Sequence, residues 1–142
     1  MIERLVKQLR LHEGSRQFAY EDHLGYVTVG VGRCLDEKVG LGLSEAEIDF
    51  LLKNDIERCT AELQQRFDWF DGLDEVRKVA LVDMNFNMGI TRLSKFKNML
   101  SALEEARYDD AATEALDSRW AKQVGQRSIN VSEMLRTGEY FQ

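Results

Sequence analysis

Between Ile2 and Gly32 the apolar period of this chain changes once, and that change limits the fold more than any other feature. Ile2, Leu5, Val6 and Leu9 recur at helical spacing, which predicts a short amphipathic helix over 2–12. Gly14 stands where helices commonly end in a left-handed residue. Beyond a turn expected at Asp22-His23-Leu24-Gly25, the side chains alternate instead. Successive residues of a strand point to opposite faces. Val27, Val29 and Val31 therefore share one face, expected to be buried, while Tyr26, Thr28, Gly30 and Gly32 share the other. A face with a hydroxyl and two glycines packs poorly but lets a ligand approach the backbone closely. A helix end followed by a hairpin can fold Glu13, Asp22 and Thr28 onto one side of a cleft; eight residues separate the first two and five the last two.

These residue types in this order suit acid–base chemistry. Glu13 falls at the negative end of a helix dipole, which disfavours an ionised carboxylate. A general acid needs that bias, since it must hold its proton near neutral pH. Each residue also has a plainer reading. Glu13 alone is a solvated glutamate at a helix end, Asp22 a turn residue and Thr28 an ordinary β-branched strand residue. Their mutual placement, with the glycine face, favours the catalytic reading. His12 and His23 flank the two carboxylates, but no spacing typical of metal ligands is present, so no metal site is expected.

Further along, Ser44 and Glu47 form a capping-box pattern, and Ile48, Leu52, Ile56, Cys59 and Leu63 follow at helical spacing. A long helix over about 45–65 is expected. From Asp74 to Met88 almost no polar face remains, which predicts a buried central helix. Residues 92–106, 109–116 and 126–136 read as shorter amphipathic helices. Trp120 reads as core. Arg33 could pair with Asp55 on the long helix. The chain contains no proline, and no linker or repeat interrupts it.

The stretch HEGSRQFAYEDHLGYVTVGVG resembles the phage-type lysozymes, the endolysin muramidases of glycoside hydrolase family 24. Their pattern HEG…Y.D..G..T.G.G is filled at every position. The resemblance continues through GLSEAEIDFLLKNDIERC, LDEVRKVALVDMNFNMG, SRWAKQVGQR and RTG, and so covers nearly the whole chain. It implies a lysozyme-like α+β fold: one domain over 1–142, with a hairpin-bearing N-terminal lobe at about 12–45. A connecting helix at about 45–65 would lead to a helical C-terminal lobe at about 66–142, joined by helix 2–12, with the site in the cleft between lobes.

The activity implied is hydrolysis of the β-1,4 bond between N-acetylmuramic acid and N-acetylglucosamine in bacterial peptidoglycan. Glu13 would protonate the leaving oxygen, while Asp22 and Thr28 would hold the attacking water on the opposite face, giving inversion. Gly30, Gly32, Asn87 and Ser118 would meet substrate, as would Arg127, which matches the family arginine that lies across the cleft from the acid. No cofactor is implied. A monomer is expected. The setting implied is phage or prophage lysis, with a separate holin-type protein releasing the enzyme to the wall.

Two other readings stay open. A lytic transglycosylase needs the acid but no water-holding pair, and a non-enzymatic wall-binding protein needs neither. The net charge of −6 argues against a nucleic-acid partner and sits awkwardly with an anionic wall. No apolar run is long enough to span a membrane, and MIERLVKQLRLHEG lacks the apolar region of a secretory signal. Residence in the host cytoplasm until release is expected, without stable membrane insertion. In that setting Cys34 and Cys59 should both be reduced.

Overall fold

The computed structural model describes residues 1–141. The chain forms two compact units, one from Met1 to Leu51 and one from Leu52 onward.

The first unit begins with helix α1, Ile2–Glu13. It stops at Gly14, whose φ of +77° suits only glycine and whose N–H donates to the Arg10 carbonyl at 2.9 Å. Three antiparallel strands follow in the order β1, Arg16–Glu21; β2, Val27–Gly30; and β3, Arg33–Cys34. Thr28 stands opposite Tyr20 on one side and Cys34 on the other, so these three share a face. A bulge interrupts the β1–β2 ladder between Arg16 and Tyr20.

Burial in this sheet reverses the expectation from alternation. Val27 and Val31 are exposed, and Thr28, at 3% exposure, is the one buried residue of the unit. Thr28 stands at the centre of the ladder, paired on both sides, while Val27 and Val31 lie at its ends. The apolar stripe of α1 is exposed as well, since Ile2, Leu5, Val6 and Leu9 all lie on the surface.

Helix α2, Glu45–Arg66, starts with the expected capping box. Ser44 Oγ accepts from the Glu47 N–H at 3.2 Å, and Glu47 Oε1 accepts from the Ser44 N–H at 2.9 Å. The same Glu47 oxygen accepts from Arg33 Nη1 at 2.6 Å. Asp55, the partner expected for Arg33, instead lies 4.0 Å from Arg58 on its own helix. The capping box explains the difference, because it already aims the Glu47 carboxylate back past the helix start.

The second unit holds the apolar core. It contains a 3-10 turn at Phe70–Gly72 and helices α3, Glu75–Met88; α4, Ile90–Leu93; α5, Lys97–Glu104; α6, Tyr108–Leu116; α7, Arg119–Val124; and α8, Gln126–Thr137. α6 packs on α5 and α8, and α8 also packs on α3. Leu63, Phe70, Leu81, Met84, Leu103 and Leu135 are among the side chains sealed between them.

α3 is not buried all round, contrary to the reading of its apolar sequence. Ala80, Leu81, Met84 and Asn85 face inward. Val79, Val82 and Phe86 instead line an open groove of about 520 Å³ with Leu52 and Ile56 of α2. An apolar residue on every side permits burial but does not supply a neighbour for every side. The single helix expected over 92–106 is also split, into α4 and α5. Ser94 Oγ donates to the Ile90 carbonyl at 2.6 Å, and the break brings Phe96 edge-on to Trp120, with ring centroids 6.3 Å apart. Trp120 is buried, as the sequence suggests.

Arg77 ties α3 to the end of α8. Nε donates to the Leu135 carbonyl at 2.7 Å and Nη2 to the Arg136 carbonyl at 2.9 Å, satisfying acceptors that every helix C-terminus leaves open. Gly138 closes that helix in the left-handed region, and a side chain there would meet the guanidinium at 2.8 Å. Cys34 and Cys59 are both free thiols, and burial pushes the Cys59 thiol up from its ordinary range.

Candidate active site

The hairpin turn is built by Asp22. Its N–H donates to the Tyr26 carbonyl and its carbonyl accepts from the Gly25 N–H, both at 2.9 Å. Its carboxylate Oδ1 accepts from the backbone N–H groups of Leu24 and Tyr26, again at 2.9 Å. Hydrogen bonding from the Tyr26 N–H, aided by that of Leu24, outweighs desolvation and holds the Asp22 carboxyl below its usual range. Asp22 is therefore ionised at neutral pH, with Oδ2 free of protein partners among the described residues.

Thr28 is attached to the backbone of the same residue, Tyr26. Its Oγ1 donates to the Tyr26 carbonyl at 2.9 Å. Tyr26 thus binds Asp22 through both its N–H and its C=O, and binds Thr28 through that same C=O. With its proton directed at Tyr26, the Thr28 hydroxyl offers only lone pairs to a third group.

Glu13 is the last residue of α1 and is exposed. Its carboxyl group lies against Gly32, where a Cβ would stand 3.0 Å from Oε2 and 3.3 Å from Cδ. Gly30 and Gly32 both have left-handed backbones, at φ +65° and +69°. Backbone geometry thus requires glycine at both positions before any ligand is considered. A side chain at Gly30 would meet nothing within 4 Å.

The first unit thus gathers Glu13, Asp22, Thr28, Gly30 and Gly32 onto one small sheet and the helix end beside it. The other expected site residues belong to the second unit. Asn87 is exposed, and its Oδ1 accepts from Trp120 Nε1 at 2.7 Å, which leaves its amide donors available. Ser118 caps α7, accepting from the Ala121 N–H at 3.1 Å and donating to the Ala115 carbonyl at 2.7 Å. Arg127 is held by Asp83, with Nε 2.7 Å from its Oδ1.

Some contacts escaped the sequence reading. Tyr26 acts through its peptide, which no side-chain pattern reveals. Asn85, two residues before Asn87, is the buried amide of α3 and donates to the Cys59 carbonyl at 3.0 Å and Glu62 Oε1 at 3.1 Å. Its inward position between Leu81 and Met88 on the helical period was the available signal.

A small antiparallel sheet followed by a helical unit, with paired acidic groups at a glycine-bearing hairpin, describes a lysozyme-like α+β enzyme. The phage lysozyme family profile matches residues 10–135, and the chain belongs to that family. It is a glycoside hydrolase. It is 27% identical to Probable T4-type lysozyme 1 of Dictyostelium discoideum, over 97% of this chain and 96% of the relative. Probable T4-type lysozyme 2 of the same organism is 29% identical over the same shares. The Pre-baseplate central spike protein Gp5 of Enterobacteria phage T4 is 25% identical over 94% of this chain, which corresponds to 28% of the spike protein.

Proposed function

We propose that this enzyme is a muramidase that cleaves the β-1,4 bond between N-acetylmuramic acid and N-acetylglucosamine in bacterial peptidoglycan, with inversion. The observation that carries the proposal is the attachment of Asp22 and Thr28 to the backbone of one residue, Tyr26, whose N–H donates to the Asp22 carboxylate and whose C=O accepts from the Thr28 hydroxyl. Asp22 supplies an ionised acceptor that takes a proton from water, and Thr28 supplies a lone pair that orients the same water. Glu13 protonates the departing sugar oxygen, and a water on the opposite face attacks the anomeric carbon. A transglycosylase closes its ring with the sugar's own hydroxyl and has no use for such a pair. Asn87, Ser118 and Arg127 serve substrate binding in this reading, and Asn87 keeps its amide donors available for a sugar.

The reaction is tested by digesting purified peptidoglycan in oxygen-18 water. One labelled oxygen per cleavage is expected at new muramic acid reducing ends, and NMR should find the α anomer first. Unlabelled anhydromuramic ends would replace the proposal with a transglycosylase, and tight wall binding without cleavage would replace it with a binding protein. Glu13→Gln should abolish turnover while the fold survives. The biological setting proposed is lysis of a bacterial host by a phage or prophage, with release through a separate membrane-permeabilising protein. Bacteria expressing the enzyme alone should stay intact and lyse when chloroform opens the membrane. Lysis without chloroform would remove the need for the second protein.

A further inference from the structure

We infer that Arg33 and Glu47 are positioning residues, which hold the end of the hairpin where Gly32 can seat the Glu13 carboxyl group. The inference rests on the reading of Glu13 as the acid. It begins from how little else fixes that segment. The first unit buries one residue, Thr28, at the middle of the sheet. Gly32 lies beyond β2 and just before the two-residue β3, in a left-handed backbone that glycine adopts without choosing it over others. No apolar side chain of the first unit is fully buried to fix that segment.

A polar tether does so instead. Arg33, the residue after Gly32, directs one nitrogen, Nη1, at both the Gly42 carbonyl, 3.1 Å away, and Glu47 Oε1, 2.6 Å away. Glu47 Oε1 also accepts from the Ser44 N–H. The hairpin end, the segment leading to α2 and the first turn of α2 are thus bonded through two side chains. Both are about 40% exposed, and exposed ion pairs add little to stability. The consequence is therefore positional. The Glu13 carboxyl group occupies the space beside Gly32 that a side chain there would need, 3.0 Å from the position of its Cβ, so a shift of that backbone changes the room left for the group that must meet the sugar oxygen.

Glu47→Gln keeps an acceptor for Ser44 but removes the charge that Arg33 grips, and Arg33→Met removes the other half. Ser44→Ala weakens the helix cap and leaves the ion pair in place. Displacing a reacting group by a fraction of an ångström is costly, so kcat should fall about tenfold in Glu47→Gln and Arg33→Met, with KM changed less than about twofold. Arg33→Lys should restore most of kcat. Ser44→Ala should lower Tm yet keep kcat. The chemical shift of the Glu13 carboxyl carbon, read by NMR at one neutral pH, should move in Glu47→Gln and Arg33→Met but not in Ser44→Ala. Wild-type kcat and an unmoved Glu13 carboxyl resonance in Glu47→Gln and Arg33→Met would overturn the inference, as would an equal loss of kcat in Ser44→Ala. Should Glu13→Gln keep its turnover, the acid assignment falls, and the carboxyl resonance alone still decides whether the tether positions Glu13.

Discussion

Thr28 is nearly sealed from solvent, yet its hydroxyl lies at the centre of the proposed water site. Removing that hydroxyl while keeping the side-chain shape separates the two roles. Thr28→Val should remove one of the two donors to the Tyr26 carbonyl and leave the Asp22 N–H in place, costing about 1 kcal/mol of stability. It should also lower kcat by about a hundredfold, within the range typical of positioned acid–base groups. Thr28→Ser should retain most activity. Turnover of purified peptidoglycan and urea unfolding measure both effects, and a fully active valine variant would show that the hydroxyl orients nothing.

The two hairpin glycines make a matched pair at the same scale. Gly30→Ala and Gly32→Ala both force a left-handed backbone on an L-residue, at about 1–2 kcal/mol each. Only the Gly32 side chain would press on Glu13, at 3.0 Å from Oε2. Gly32→Ala should therefore lower kcat, whereas Gly30→Ala should act on stability and KM. Equal kcat losses in the two variants would show backbone strain alone at work.

At the scale of elements, the junction of β3 and α2 is an electrostatic one. The side-chain hydrogen bond from Arg33, followed by the hydrogen bonds from Ser44, lowers the Glu47 carboxyl from an ordinary 4.5 to about 2. A folded value below the unfolded one stabilises the native state fully above pH 4.5, and the contribution is lost as pH falls toward 2. The stability gap between wild type and Glu47→Gln should accordingly be widest at neutral pH and close by pH 2, as denaturant unfolding across that range would measure. A gap independent of pH would assign the effect to helix capping and not to charge. Asp22 has the same sign, since its turn hydrogen bonds favour the carboxylate.

At the scale of the whole molecule, packing is unevenly divided. Core residues from Leu63 to Leu135 are sealed within the second unit, while the first buries a single threonine. Local opening costs least where buried apolar contacts are few. Amides of α1 and the sheet should exchange with deuterium much faster than those of α3, α5 and α8, read by mass spectrometry of peptic fragments. Comparable protection in both units would contradict this picture.

Much of this protein was legible in the sequence because local rules decide it. Gly14 ends α1, Ser44 and Glu47 cap α2, and the spacing of Glu13, Asp22 and Thr28 around a turn places Asp22 and Thr28 on one hairpin. Capping, turn formation and strand alternation act over a few residues, so a short string of letters suffices to state them. What the tertiary structure decided was which neighbour each face received. Val27 and Val31 of the valine face received no covering neighbour, and α3 is only half buried because its other flank lines a groove. Arg33 turns to Glu47 and not to Asp55 because the capping box has already oriented that carboxylate. Asn87 meets the Trp120 indole across 33 positions of chain. Such pairings depend on the distance between elements after folding, a quantity that spacing along the chain does not contain.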